Sequence, residues 1–149
     1  MMTHEQAVAT LTDWLRPFAP VTFNRNGMAA MAYDTYAIVF EVPQESEGAD
    51  GPMYFIRAAI TPPNTFKAKD YAWALRTNLF QLASGGFTLA LDERYRLELC
   101  YAEPIRCVNE HTFATVVANF IVALEEFARQ VKERNTPSTG SFPTMTQFA

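Results

Sequence analysis

The sequence predicts an α+β fold built on an antiparallel sheet. Two observations carry that expectation. Runs with the period of a strand come in two groups, and turn signals separate neighbours within each group. Segments with the period of a helix stand before, between and after the groups. The predicted order is α-β-β-β-α-β-β-α, with strands joined through turns and not only through helices. The chain has 149 residues, a one-domain length that can bury a full core without disulfides or metal.

The first element is a helix. Thr3-x-x-Gln6 fits a capping box, and Val8, Leu11, Leu15 and Phe18 follow at spacings of three and four. Pro17 and Pro20 end it near Arg16, because proline lacks the N–H donor and clashes with the preceding turn. Asn24-Arg25-Asn26-Gly27 is turn chemistry. Met28 to Tyr33 reads as a strand, and Tyr36, Ile38, Phe40 and Val42 alternate with Ala37, Val39 and Glu41 in a second. Asp34-Thr35 between them makes a tight hairpin connection. After an acidic loop from Pro43 to Pro52, Met53 to Ile60 is the third strand. These three strands are apolar on both faces. Helices must cover one face; the other is covered too or available to a partner.

A second helix runs from about Lys67 to Ala83, with Tyr71, Ala74, Leu75, Asn78, Leu79 and Leu82 on one side and Ser84-Gly85-Gly86 as its stop. Phe87 to Leu91 and Tyr95 to Tyr101 alternate around the turn Asp92-Glu93-Arg94, a half-buried hairpin that Pro104 ends or confines to an edge. Asn109 then caps the longest helix, whose apolar stripe runs from Phe113 to Val131. Arg129, Lys132 and Arg134 gather near its C-terminus, where the macrodipole favours positive charge. One domain is expected over residues 1–134. From Asn135 the composition turns to Thr, Ser, Pro and Gly, which reads as a flexible tail over 135–149. Its Phe142, Met145 and Phe148, three apart, also suit a segment that docks into an apolar groove.

Composition narrows the function. The net charge of −4 and the lack of a basic run argue against nucleic acid as a partner. No run of about 18 apolar residues is present, so no membrane-spanning helix is expected. The start, MMTHEQ, has no basic region followed by an apolar run, so no signal peptide is expected and a cytoplasmic location follows, with Cys100 and Cys107 as free thiols. Cys100, Cys107 and His111 are the only cluster of metal-ligating types, and their spacing is not that of a zinc site. There is no Gly-rich phosphate loop and no Gly-x-Ser-x-Gly elbow. Glu125-Glu126 and Asp92-Glu93 are sequence neighbours that read as surface charge. Catalytic residues, metals and cofactors are therefore not expected, and neither is an enzyme.

One stretch carries a resemblance. Leu75-Arg76-Thr77-Asn78-Leu79 is followed by Gly85-Gly86, Phe87 to Leu91, Asp92-Glu93, Tyr95 to Leu99, Pro104-Ile105 and the helix from Phe113 to Val131. This succession, with the element order, resembles the class I type III secretion chaperones, the Tir-chaperone family. Glu93-Arg94 departs from it, standing where the family has a glycine-containing turn. The resemblance implies an ATP-independent cytoplasmic homodimer that holds the N-terminal segment of a secreted effector in an extended state. In the family the first helix and first three strands supply the binding grooves. That implies Leu11, Leu15, Phe18, Met28, Met31, Tyr33, Ile38, Phe40, Tyr54 and Ile56 as partner-binding candidates. The second helix and the following strand form the dimer contact, which implies Tyr71, Trp73, Arg76, Phe80 and Leu89. Trp73 and Phe80 lie off the Leu75/Leu79/Leu82 stripe, where a second apolar interface would want large aromatics. The alternative is an adaptor or regulatory protein of the same fold, outside secretion, acting through protein–protein contacts.

Overall fold

The computed structural model describes residues 1–44, 50–62, 65, 67–79 and 86–135. Helix α1 is His4–Leu15, and its capping box is formed: Gln6 N–H donates to Thr3 Oγ1, and Thr3 N–H donates to Gln6 Oε1. Strands β1 (Met28–Tyr33), β2 (Tyr36–Glu41) and β3 (Met53–Ala59) come next, then helix α2 (Ala68–Thr77). Strands β4 (Thr88–Leu91) and β5 (Leu97–Pro104) precede a short 3-10 turn at Ile105–Cys107 and helix α3 (Glu110–Asn135). The five strands form one antiparallel sheet in the order β1-β2-β3-β5-β4. The predicted class, element order and both hairpins are as observed.

Gly27 sets the start of β1. It sits at φ 76°, and a Cβ there would lie 2.3 Å from the Val42 carbonyl oxygen. Only glycine lets the chain pass that close, so the Val42 N–H can donate to the Gly27 carbonyl. The β4–β5 turn works without glycine. Tyr95 takes the left-handed φ of 59°, and the Asp92 carboxylate accepts from the N–H groups of Arg94 and Arg96 and from the Arg96 guanidinium. Burial pushes the Asp92 carboxyl up, but these donors outweigh it and hold the group below its ordinary value. The left-handed Tyr95 moves the start of β5 from the expected Tyr95 to Leu97.

The boundaries of the later helices differ from expectation. Residues 80–85, where the second helix was expected to continue and stop, lie outside the described residues. Asn135, expected to open the tail, is the last residue of α3 and donates its side-chain N–H to Val131 O and Asp70 Oδ1. Residues 136–149 lie outside the described residues.

The two faces of the sheet differ. On one face Met31, Ile38, Ala58, Leu99 and Leu89 form a row across all five strands, beside Ala29, Phe40, Ile56 and Tyr101. Helices α1 and α3 lie over this face. Leu11, Leu15, Phe113, Phe120 and Leu124 are fully buried there. Phe113 meets Trp14 at 5.5 Å and Tyr54 at 5.3 Å, centroid to centroid, and Phe87 meets Phe120 edge-on at 5.5 Å. The core is thus an aromatic layer between the sheet and α3.

Candidate functional site

The opposite face of the sheet is not covered by any described element. Its central row runs Ala30, Val39, Arg57, Cys100, Thr88 across the five strands. On one side of it stand Met28, Glu41, Phe55 and Ala102, and on the other Ala32, Ala37, Ala59, Glu98 and Ala90. Ala30, Ala32, Ala37 and Ala102 are exposed, and Val39, Phe55 and Arg57 are half-buried by their neighbours. The many alanines keep the relief low, so a helix or an extended segment can approach the backbone closely. The charged groups cluster around Arg57 on the central strand, with Arg96 beside Glu98. Arg57 reaches Glu98 at 3.3 Å and Glu41 at 4.0 Å, with Glu98 nearly buried. Burial and the Glu98 charge push the neighbouring Cys100 thiol up to about 11, so it is not a poised nucleophile.

A second apolar surface lies between α2 and β4. Tyr71, Ala74, Leu75, Asn78, Leu89, Ala90, Leu91 and Leu97 line a groove of about 250 Å³. Leu75, Leu79 and Leu91 are 73%, 62% and 43% exposed. The Asn78 side chain pins α2 to the outer edge of β4, donating to Leu89 O at 2.7 Å and accepting from Leu89 N–H at 2.8 Å.

The structure redistributes the residues that the resemblance implied. Leu11, Leu15, Met31, Ile38, Phe40, Tyr54 and Ile56 are buried in the monomer core, on the face that α1 and α3 cover. They hold the fold and are not open to a partner in this conformation. Tyr54 is tied further by donating to Glu103 Oε1 at 2.5 Å. Burial, then that bond, raises the Tyr54 hydroxyl far above its ordinary range. Tyr33 donates to Glu125, joining the end of β1 to α3. Met28 lies on the uncovered face, and Phe18 is 36% exposed in the turn after α1. These last three do not form one site.

Among the dimer candidates, Tyr71 and Leu89 meet at the α2–β4 groove, although Leu89 is buried. Arg76 is exposed. Trp73 instead packs edge-on against Phe127 of α3 at 5.9 Å, under the Arg134 guanidinium. That corrects the expected orientation of α2. Its inward side carries Asp70, Trp73, Ala74 and Thr77, so Leu75 and Leu79 of the expected core stripe face outward. Phe80 lies outside the described residues.

Sequence reasoning missed the alanine-rich face. The available signal was the small size of Ala30, Ala32 and Ala37 at the positions alternating with Met31 and Ile38. Cys100, Cys107 and His111 are dispersed: Cys100 lies on the sheet, Cys107 is exposed in the 3-10 turn, and His111 is exposed in the first turn of α3. Among the described residues, no helix is long and apolar enough to cross a membrane.

Comparison with known proteins adds to this geometry. The family model described as the Tir chaperone protein (CesT) family matches residues 17–128. No curated protein sequence matches the chain. Among solved structures, a chain of the ExsC–ExsE complex is similar, with a TM-score of 0.69 at 15% identity, covering 87% of this chain and 96% of that one. A chain of the HopA1–SchA chaperone–effector complex aligns with a TM-score of 0.59 at 19% identity, over 81% of this chain and 91% of that one. A chain of the complex of the Yersinia pestis type III secretion chaperone SycH with a stable fragment of YscM2 gives a TM-score of 0.55 at 22% identity, over 80% of this chain and 97% of that one. At these identities the likeness to solved structures is one of fold.

Proposed function

The chain belongs to the Tir chaperone protein (CesT) family, and from that premise we propose that it is an ATP-independent, cytoplasmic, homodimeric chaperone that holds an extended N-terminal segment of a secreted effector for type III secretion. The observation that carries this reading is the uncovered sheet face. An antiparallel sheet with one face in water normally alternates apolar-in with polar-out. Here alanine is the commonest outward residue, with valine, methionine and phenylalanine beside it, and the charges gather at Arg57, Glu41 and Glu98, with Arg96 next to them. An uncovered sheet face with this much apolar surface marks a protein-binding surface. It suits a segment that lies across the strands or adds to the sheet edge at β1, with alternate side chains seated against the face. The fold relatives support the reading: one is a chaperone–effector complex and another is a type III secretion chaperone solved with a partner fragment. Holding a segment in this way requires no catalytic group.

The α2–β4 groove supports the homodimer. Leu75, Leu79 and Leu91 expose apolar surface beside a terminal strand, where a second copy would bury it. The test is to express the tagged chain in its own host, identify what co-purifies, and measure the mass of the complex by light scattering. Two copies of the chain holding one stoichiometric secreted protein through its N-terminal region are expected. A cytosolic regulator in that place, or no partner, would overturn the effector reading and leave the adaptor.

A further inference from the structure

We propose that Asn24 sets the register of the bound segment: it closes the first outward position of β1, so that a strand from the effector pairs with Ala30 and Ala32 and no further along that edge. The inference rests on the effector reading and names the place and chemistry of the pairing.

The alternation of an antiparallel ladder decides which backbone groups face outward. The Val42 N–H donates to the Gly27 carbonyl, so these two residues face each other as a bonded pair. Along the register, Ala29 with Phe40, Met31 with Ile38 and Tyr33 with Tyr36 are then bonded pairs too. Met28, Ala30 and Ala32 turn their N–H and C=O groups away from β2. Both groups of Met28 are taken: its N–H donates to Asn24 Oδ1 at 3.1 Å, and its carbonyl accepts from the Asn24 N–H at 2.8 Å. The Asn26 N–H also donates to that Oδ1, at 2.9 Å, and holds the asparagine in place. Among the described residues nothing meets the outward groups of Ala30 and Ala32, and both residues are exposed.

The opposite edge is closed in the same way. The Asp92 N–H donates to Arg96 O, so the alternation turns Leu89 and Leu91 outward. Asn78 takes both groups of Leu89. A ladder needs successive outward residues, and with Leu89 occupied β4 offers Leu91 alone. Strand β1 offers two in succession, and it carries neither the charge nor the proline that commonly protects an edge. The segment must bring N–H groups opposite Ala30 and Ala32, so neither of those positions is proline. Its side chains there lie on the uncovered face, over alanine, where a bulky apolar group can reach across toward Ala37. A second copy of β1 would set alanine against alanine, the least favourable pairing of apolar side chains.

The test follows amide hydrogen exchange, residue by residue, in the complex co-purified from the host. The Ala30 and Ala32 amides are expected to exchange about tenfold or more slowly than in the free chain, with Met28 unchanged. A captured partner that leaves both alanines exchanging freely would overturn the proposal and spare the effector reading; failure to capture any partner would overturn the reading itself. Slow exchange of both alanines in the chain purified alone would put a second copy on this edge instead. Ala30→Pro removes an N–H that β2 does not use. It should keep the far-UV circular dichroism and the mass of the free chain and lose capture, and retained capture would count against pairing here. Asn24→Ala frees the Met28 N–H, which should become protected in the complex, whereas Asn24→Asp keeps the acceptor and should behave as wild type. A Met28 amide that exchanges equally fast in the free and bound Asn24→Ala protein would remove Asn24 from the register.

Discussion

Asn78 does with one side chain what another strand would do with its backbone. Its amide donates to the Leu89 carbonyl and accepts from the Leu89 N–H, so the outer edge of β4 is satisfied at that point. A terminal strand with its groups left unpaired is an open template. Replacing Asn78→Ala leaves a part-buried donor and acceptor without partners, at a cost of roughly 1–3 kcal/mol. For a chain of this length that is a melting-temperature fall of about 2–4 °C per kcal/mol. Asn78→Asp keeps the acceptor and loses the donor, so it should fall between the two. A thermal melt of all three proteins decides it, and an Asn78→Ala protein that melts with wild type would show that the pair contributes nothing. The sequence displayed the Leu-x-x-Asn pattern plainly. It could not display the partner, because Leu89 lies eleven residues on and is brought back only by tertiary packing. The β4–β5 turn is similar. The absent glycine was legible, but not that Tyr95 would accept its φ while Asp92 gathers the turn's N–H groups.

At the scale of the element, α2 shows what periodicity cannot decide. Its sequence offers two overlapping apolar sides, Tyr71/Leu75/Leu79 and Trp73/Ala74/Thr77. Period alone favours the side with more leucines. The structure turns the other side inward, because the indole of Trp73 packs against Phe127 while the Arg134 guanidinium lies over it. An outward apolar stripe and a core stripe can both carry the helical period, so only the neighbour tells them apart. The consequence is a pair of variants with opposite readouts. Leu75→Glu puts a charge on the outward stripe and should weaken self-association at least tenfold, about 1.4 kcal/mol. Light scattering should then show a monomer with unchanged far-UV circular dichroism. Trp73→Glu puts the charge against Phe127 and should lower the melting temperature before it alters the mass. A Leu75→Glu protein that stays a dimer would remove α2 from the interface.

For the whole molecule, the two faces of the sheet differ in side-chain size: large residues on the covered face, small ones on the uncovered face. The class, the element order and the hairpins were legible because each rests on local period and turn chemistry. The uncovered face proposed to bind the partner was not. Both faces of β1 and β2 read as apolar, and the family resemblance drew attention to the larger residues. Those residues went to the core, where a large side chain removes most apolar area from water. The small ones were left outside, where low relief lets another chain approach. Stability and binding should therefore separate by face. Phe40→Ala empties a fully buried site and should cost about 3–5 kcal/mol, enough to threaten folding. Ala37→Arg changes an exposed position on the uncovered face, and a surface substitution of that kind usually alters stability by less than about 0.5 kcal/mol. Its long cationic side chain nevertheless stands where a bound segment would lie. The expected outcome is an Ala37→Arg protein with wild-type melting and wild-type dimer mass that no longer pulls down its partner. Because Ala37 is remote in the register from Leu89 and Leu91, loss of capture without loss of dimer would assign the two tasks to separate surfaces. Retained capture would move the binding site off this face, to the sheet edge at β1 or to the α2–β4 groove.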